Sequence, residues 1–124
     1  MLLEVIDADF QGLYNFFYLP IDFKNKCNVG YAFLNFIEPY YCDLFWKKFA
    51  GRRLTGFRSR KVCDVSWGRV QGLKSNIEHY RNSSIMSLPC QEYKPLLFKN
   101  GVIVPFPPPN SQQKHKQETP STPN

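Results

Sequence analysis

An α+β fold, with two helices packed on one face of a β-sheet, is predicted by three features of the sequence. Stretches of helical and strand periodicity follow one another in the order helix, strand, strand, helix, strand. Each of the two helical stretches carries one apolar stripe, so each must bury one side. Residues 29–36 (VGYAFLNF) alternate Tyr31, Phe33 and Asn35 on one face with Ala32, Leu34 and Phe36 on the other, so this strand meets two different surroundings.

Residues 2–10 (LLEVIDADF) set Leu2, Leu3, Ile6 and Phe10 on one side of a helix, with Glu4, Asp7 and Asp9 turned away. Gly12 falls just past its end. Residues 14–19 (YNFFYL) read as an aromatic strand that Pro20 closes. A polar loop from Asp22 to Asn28, carrying Lys24 and Lys26, leads into the strand at 29–36. Glu38-Pro39 opens the second helix, because proline suits the first helical position. Within it Cys42, Phe45, Trp46 and Phe49 follow i, i+3, i+4, i+7 spacing, while Asp43, Lys47 and Lys48 face water. Gly51 is its C-terminal cap.

Residues 61–67 (KVCDVSW) alternate again and predict a further strand, with Cys63, Val65 and Trp67 on the core side and Asp64 and Ser66 opposite. A third helix is expected over 73–83, with Leu73, Ile77 and Tyr80 as its stripe. Beyond Leu88, residues 96–98 and 102–104 flank Asn100-Gly101, a pair that favours the tight type I′ turn, and predict a small hairpin. A proline-rich stretch spans 105–109, and residues 111–124 contain no apolar side chain. The expected organisation is a motif over 1–88 that includes the third helix, an extension over 89–109 and a disordered tail over 110–124.

Eleven Phe, 7 Tyr and 2 Trp make up 16% of the 124 residues, enough to furnish a stacking surface as well as a core. The formal charge of +6 and the pI near 9.2 suit a polyanionic partner. No apolar run approaches the ~18 residues of a membrane span, and the acidic N-terminus lacks the basic start of a secretory signal, so an intracellular protein is expected, in nucleus or cytoplasm. Cys27, Cys42, Cys63 and Cys90 are dispersed, and His79 and His115 are the only histidines. Nothing pairs ligands at zinc spacing, so reduced, mostly buried thiols are expected, with no metal, cofactor or disulfide framework. Neither a P-loop nor paired carboxylates nor a Cys-His arrangement is present, which argues against an enzyme and a small-molecule substrate.

The element order is that of a β-α-β-β-α-β domain, the ferredoxin-like fold, lacking its first strand. RNA-recognition motifs carry the signature K/R-G-F/Y-G/A-F-V-x-F/Y on their third strand. In Val-Gly-Tyr-Ala-Phe-Leu-Asn-Phe, residues Gly30, Tyr31, Ala32, Phe33 and Phe36 match and Leu34 is a conservative change. Val29 departs, and Lys24 or Lys26 is the candidate replacement for its missing charge. Strand geometry sets Tyr31 and Phe33 about 6.5–7 Å apart on one face, a spacing suited to neighbouring bases of single-stranded RNA. Asn35, Ser66 and Arg69 are expected to support that contact. Between Lys47 and Lys61 stand seven basic residues and no acid, and Lys47, Lys48, Arg52 and Arg53 are the candidate phosphate contacts.

The string YLPIDFKNKCNVGYAFLNF at 18–36 resembles the C-terminal RNA-recognition motif of the Mei-two-like family, regulators of meiosis and development. KVCDVSWGRVQG (61–72), HYRNSSIM (79–86) and KPLLF (94–98) are similar to the same family's last strand and C-terminal extension. The resemblance, over about residues 1–98, implies RNA binding without catalysis and a motif extended by a third helix. It also implies a strand ahead of the helix at Met1, between the strands at 29–36 and 61–67, so the chain as given is expected to be a fragment whose two strands lack a shared neighbour. A protein-interaction module, docking a peptide on the aromatic face or along the exposed strand edges, is the alternative.

Overall fold

The computed structural model describes residues 2–22, 27–28, 30–53 and 62–110. In chain order these form α1 (Leu2–Phe10), β1 (Tyr14–Tyr18), β2 (Ile21–Asp22), β3 (Cys27–Asn28), β4 (Phe33–Phe36), α2 (Pro39–Phe49), α3 (Leu73–Tyr80), β5 (Leu96–Lys99) and β6 (Val102–Val104). Two short 3-10 turns, Ser84–Ser87 and Gln91–Tyr93, lie between α3 and β5. The main sheet has the order β4-β1-β5-β6 with every pair antiparallel, and β2 and β3 form a separate two-stranded ribbon.

Local chemistry accounts for most of these elements. Pro39 occupies the first turn of α2 after Glu38, and Gly51 takes a left-handed φ of 76° just past the Ala50 cap. Asn100 (φ 53°) and Gly101 (φ 81°) both adopt the positive φ that a type I′ turn requires, so β5 and β6 meet across two residues. The α3 N-terminus has no side-chain cap of its own. Instead the buried Asn76 reaches back, its Nδ2 donating to the Gly72 carbonyl at 2.8 Å and the Val70 carbonyl at 3.5 Å.

A bulge in β1 decides which side chains face which layer. Tyr14 pairs with Phe36 but Phe16 pairs with Asn35, so Asn15 is the extra residue. Tyr14 and Phe17 therefore share one face with Leu34 and Phe36, while Phe16 and Tyr18 share the other with Phe33 and Asn35. On the first face Ile6, Phe10, Tyr14, Phe17 and Phe49 form the main core, with Phe36, Phe45 and Phe98 packed against it. Its rings lie edge-on or tilted, Phe10 to Phe45 at 5.3 Å and Phe45 to Phe49 at 4.7 Å. The first two helices thus pack on one face of the sheet.

The second face is also partly covered. Phe16 is fully shielded there, and Tyr80 of α3 stacks on it at 5.8 Å with the rings 24° apart. Leu97 of β5, opposite Phe16, is buried on the same side. The proline stretch folds back to hold α3 in place. Arg81 donates through Nε and Nη2 to the Pro108 carbonyl at 2.9 and 2.8 Å, and the Asn110 amide donates to Asn82 Oδ1 at 2.7 Å.

Three expectations are corrected. The stretch 61–67 forms no strand among the described residues. Val65 packs at the margin of the main core and Cys63 is half-buried, so the alternation is real, but Trp67 is 65% exposed. Cys63 alone makes ladder-like bonds, its carbonyl accepting from Gly51 at 2.8 Å and its amide donating to Arg52 at 2.7 Å. A strand needs a neighbour along its length, and β1 is the sole ladder partner of β4 in the described residues, leaving none for 62–67. Second, Asn110 belongs with the folded extension, while residues 111–124 lie outside the described residues. Third, Cys42, Cys63 and Cys90, expected to be mostly buried, are only half-buried.

Candidate functional site

On the sheet face away from α1 and α2, four aromatic rings stand in a row. Tyr31 meets Phe33 edge-to-face at 5.5 Å, and Phe33 lies parallel to Tyr18 at 6.3 Å and 19°. Tyr18 in turn meets Tyr80 edge-to-face at 5.1 Å. The two ends of the row differ. Tyr31 is 57% exposed, whereas Tyr80 is half-buried against Phe16. Antiparallel pairing of Tyr18 with Phe33 sets those two rings side by side, while Tyr31 lies just ahead of β4, which begins at Phe33 and not at the expected residue 29. Gly30 takes a φ of 96° at the entrance to this segment, a conformation that glycine tolerates at little cost.

The row lies open at the β4 end and is walled by α3 at the other. Aromatic rings on an open sheet face offer π-faces to bases that single strands leave unpaired. The phenols of the row are perturbed by their setting. Burial raises the Tyr18 hydroxyl above its ordinary range, with Tyr31 adding to the effect. Burial likewise raises that of Tyr80, followed by the influence of Tyr18 and Tyr31. On the opposite face, burial raises the Tyr14 hydroxyl further, and its 2.6 Å bond to Asp7 Oδ1 adds to the rise.

The residues expected from the sequence to serve the site are spread over three surfaces. Tyr31 and Phe33 stand together in the row, with Asn35 next along the same face of β4. Asn35 Nδ2 is engaged with Asn15 Oδ1 at 2.9 Å and, more weakly, with the Phe36 carbonyl at 3.4 Å. Lys47 and Lys48 are exposed on α2, in the layer behind the sheet, and Lys48 is paired with Asp9 of α1. Arg52 and Arg53 are exposed just after α2. Ser66 and Arg69 are exposed on the segment that leaves the helix layer at Cys63, passes Trp67 against Trp46 at 5.4 Å, and reaches the opposite face at α3. Lys24 and Lys26, with Arg58, Arg60 and Lys61 of the basic stretch, lie outside the described residues. Among the described residues, no group of three or more His, Cys, Asp or Glu could hold a metal ion, and no helix is long and apolar enough to cross a membrane.

Tyr18 and Tyr80 are the members of the row that sequence reasoning missed. The signal for Tyr18 was faint: the aromatic run at 14–18 has no polar alternation, and the bulge at Asn15 hides which ring faces which way. In the sequence Tyr80 is one residue of an apolar helical stripe, and only the packing of α3 across β1 brings it to the row.

Comparison with known proteins gives a consistent result. The profile of RNA recognition motif 2 matches residues 1–81. The chain is similar to Protein MEI2-like 5 of Oryza sativa subsp. japonica, at 52% identity over 98 residues that cover 79% of this chain and 12% of that protein. It is also similar to Protein MEI2-like 4 of Arabidopsis thaliana, at 47% over 112 residues, 86% of this chain and 12% of the relative. With Meiosis protein mei2 of Schizosaccharomyces pombe it shares 44% over 119 residues, 92% of this chain and 16% of the relative. The chain therefore spans well under a fifth of the length of these relatives.

Proposed function

This chain belongs to the RNA recognition motif 2 family, and on that footing we propose that it binds single-stranded RNA by stacking bases on Tyr31 and Phe33. The observation that carries this reading is the aromatic row on the sheet face that α1 and α2 leave free. Each stacked base contributes roughly 1–3 kcal/mol, so two bases suffice for a weak but definite site. Arg69, on the passage towards that face, and Arg52 and Arg53 meet phosphates. Lys47 and Lys48, behind the sheet, add to the positive field that draws RNA in, as do Lys24 and Lys26, which precede β3 in the sequence. Asn35 and Ser66 contribute polar contacts at the margin. The role is binding rather than catalysis, in the regulation of RNA after transcription.

Fluorescence-anisotropy titration with a mixed-sequence single-stranded RNA tests this. Tyr31→Ala and Phe33→Ala are expected to weaken binding by about tenfold or more each, the loss of one stacked base, with circular dichroism unchanged. A protein partner is the second reading, favoured by the position of β4 at the sheet edge with β1 as its one ladder partner among the described residues. A folded chain that binds no RNA, with or without Phe33, would support that reading and refute the first.

A further inference from the structure

The Phe33 ring is flanked on both sides by phenols. Tyr31 stands edge-on to it at 5.5 Å, and Tyr18 lies parallel at 6.3 Å with Tyr80 another 5.1 Å beyond. None of these three hydroxyls makes a hydrogen bond to a described residue, although every fully buried polar side-chain atom among the described residues has a partner. Tyr31 is exposed and Tyr18 and Tyr80 are half-buried, so all three residues reach the surface. They also lie close enough to influence one another's ionisation, Tyr31 on Tyr18 and both on Tyr80. A phenol both donates and accepts a hydrogen bond, and the edge of a nucleobase presents both kinds of group.

The position of Tyr80 is built rather than incidental. Its ring is stacked on the fully buried Phe16, and α3 is fixed at one end by Asn76 and at the other by the Arg81–Pro108 and Asn82–Asn110 bonds. A side chain held in this way presents its hydroxyl at a defined place, which discrimination between bases requires.

We propose that the hydroxyls of Tyr18 and Tyr80 read the edge of the base stacked on Phe33, which makes these two residues specificity determinants of the site. The inference rests on the stacking reading above and adds to it: Phe33 supplies affinity for any base, and the two phenols supply preference. α3, outside the sheet itself, then acts as one wall of the RNA site.

The test is anisotropy titration of the chain and of Tyr18→Phe, Tyr80→Phe and Phe33→Ala with short oligo-U, oligo-C and oligo-A. Each Tyr→Phe change removes one oxygen and leaves the ring packed, and near-ultraviolet circular dichroism verifies that packing. The unaltered chain is expected to prefer one of the three RNAs. Tyr18→Phe and Tyr80→Phe should each lower affinity for that RNA by about two- to tenfold, the range of one neutral hydrogen bond, and leave the other two nearly unchanged. Equal binding of all three RNAs by the unaltered chain, or an unaltered preference in both Tyr→Phe variants, would overturn the inference. In either case a general loss in Phe33→Ala keeps the stacking reading standing, whereas no loss in Phe33→Ala shows that the stacking reading itself has failed.

Discussion

Tyr14 shows how much one buried hydroxyl can set. Its oxygen donates to Asp7 from within the main core, and burial, then that bond, then the charge of Asp7 hold its ionisation well above the ordinary value of 10.0. The folded state thus favours the neutral phenol. The resulting stability is complete below the unfolded value and is lost as pH rises beyond it towards the folded value. Thermal melts should show stability falling steeply above about pH 10, and Tyr14→Phe should make that fall shallower. At neutral pH the same change should cost about 1.5 kcal/mol by urea denaturation, the worth of a hydrogen bond to a charged group. Among the candidate site residues, Tyr31 and Phe33 are legible from their i, i+2 spacing, although the strand itself begins only at Phe33. Tyr18 and Tyr80 are not, since a bulge and a tertiary contact decide where their rings lie.

At the scale of elements, those with local signals were readable and those that depend on a neighbour were not. Pro39 and Gly51 bracket α2, and Asn100-Gly101 closes the β5–β6 hairpin at the expected residues. The φ of 81° is what constrains Gly101, since an added Cβ would make only ordinary contacts, 3.6 Å to Gln11 and 3.7 Å to Gly12. Gly101→Ala is expected to cost about 1–2 kcal/mol in chemical denaturation, mostly from the left-handed backbone. The segment 62–67 has strand alternation yet makes no ladder, because alternation reports which side is buried and says nothing of whether a partner strand is present. The C-terminal hairpin supplies the opposite lesson. Its pairing with β1, through Phe16–Leu97 and Phe17–Leu96, builds it into the sheet, a long-range match that no local pattern announces.

Across the whole molecule, the sheet separates two tasks. One face, with α1 and α2, holds the aromatic core. The other carries the row of rings, with α3 filling the part over Phe16. Phe10 touches Phe36, Phe45 and Phe49 at once, so Phe10→Ala should destabilise the fold by about 3–5 kcal/mol, read as a lowered denaturation midpoint. The charge of +6 makes RNA affinity salt-dependent. Arg69→Gln should lower the magnitude of the salt slope by about 0.7, the value of one phosphate contact to a single strand, while Lys48→Gln should change it less because Lys48 lies behind the sheet beside Asp9. Fold class, helix faces and the proximity of the Tyr31 and Phe33 rings are thus readable from periodicity and one octapeptide. The covering of the second face is not, since it arises from residues some 60 positions apart in sequence, Phe16 and Tyr80.

The most direct test of the central claim is to follow the aromatic ring resonances of the chain by nuclear magnetic resonance as single-stranded RNA is added. Stacked bases shift nearby ring protons strongly, so Tyr31 and Phe33 should move most, Tyr18 and Tyr80 next, and the core rings Phe10 and Phe45 hardly at all. RNA-induced shifts confined to α1 and α2, or rings of Tyr31 and Phe33 that stay in place while RNA binds, would contradict it.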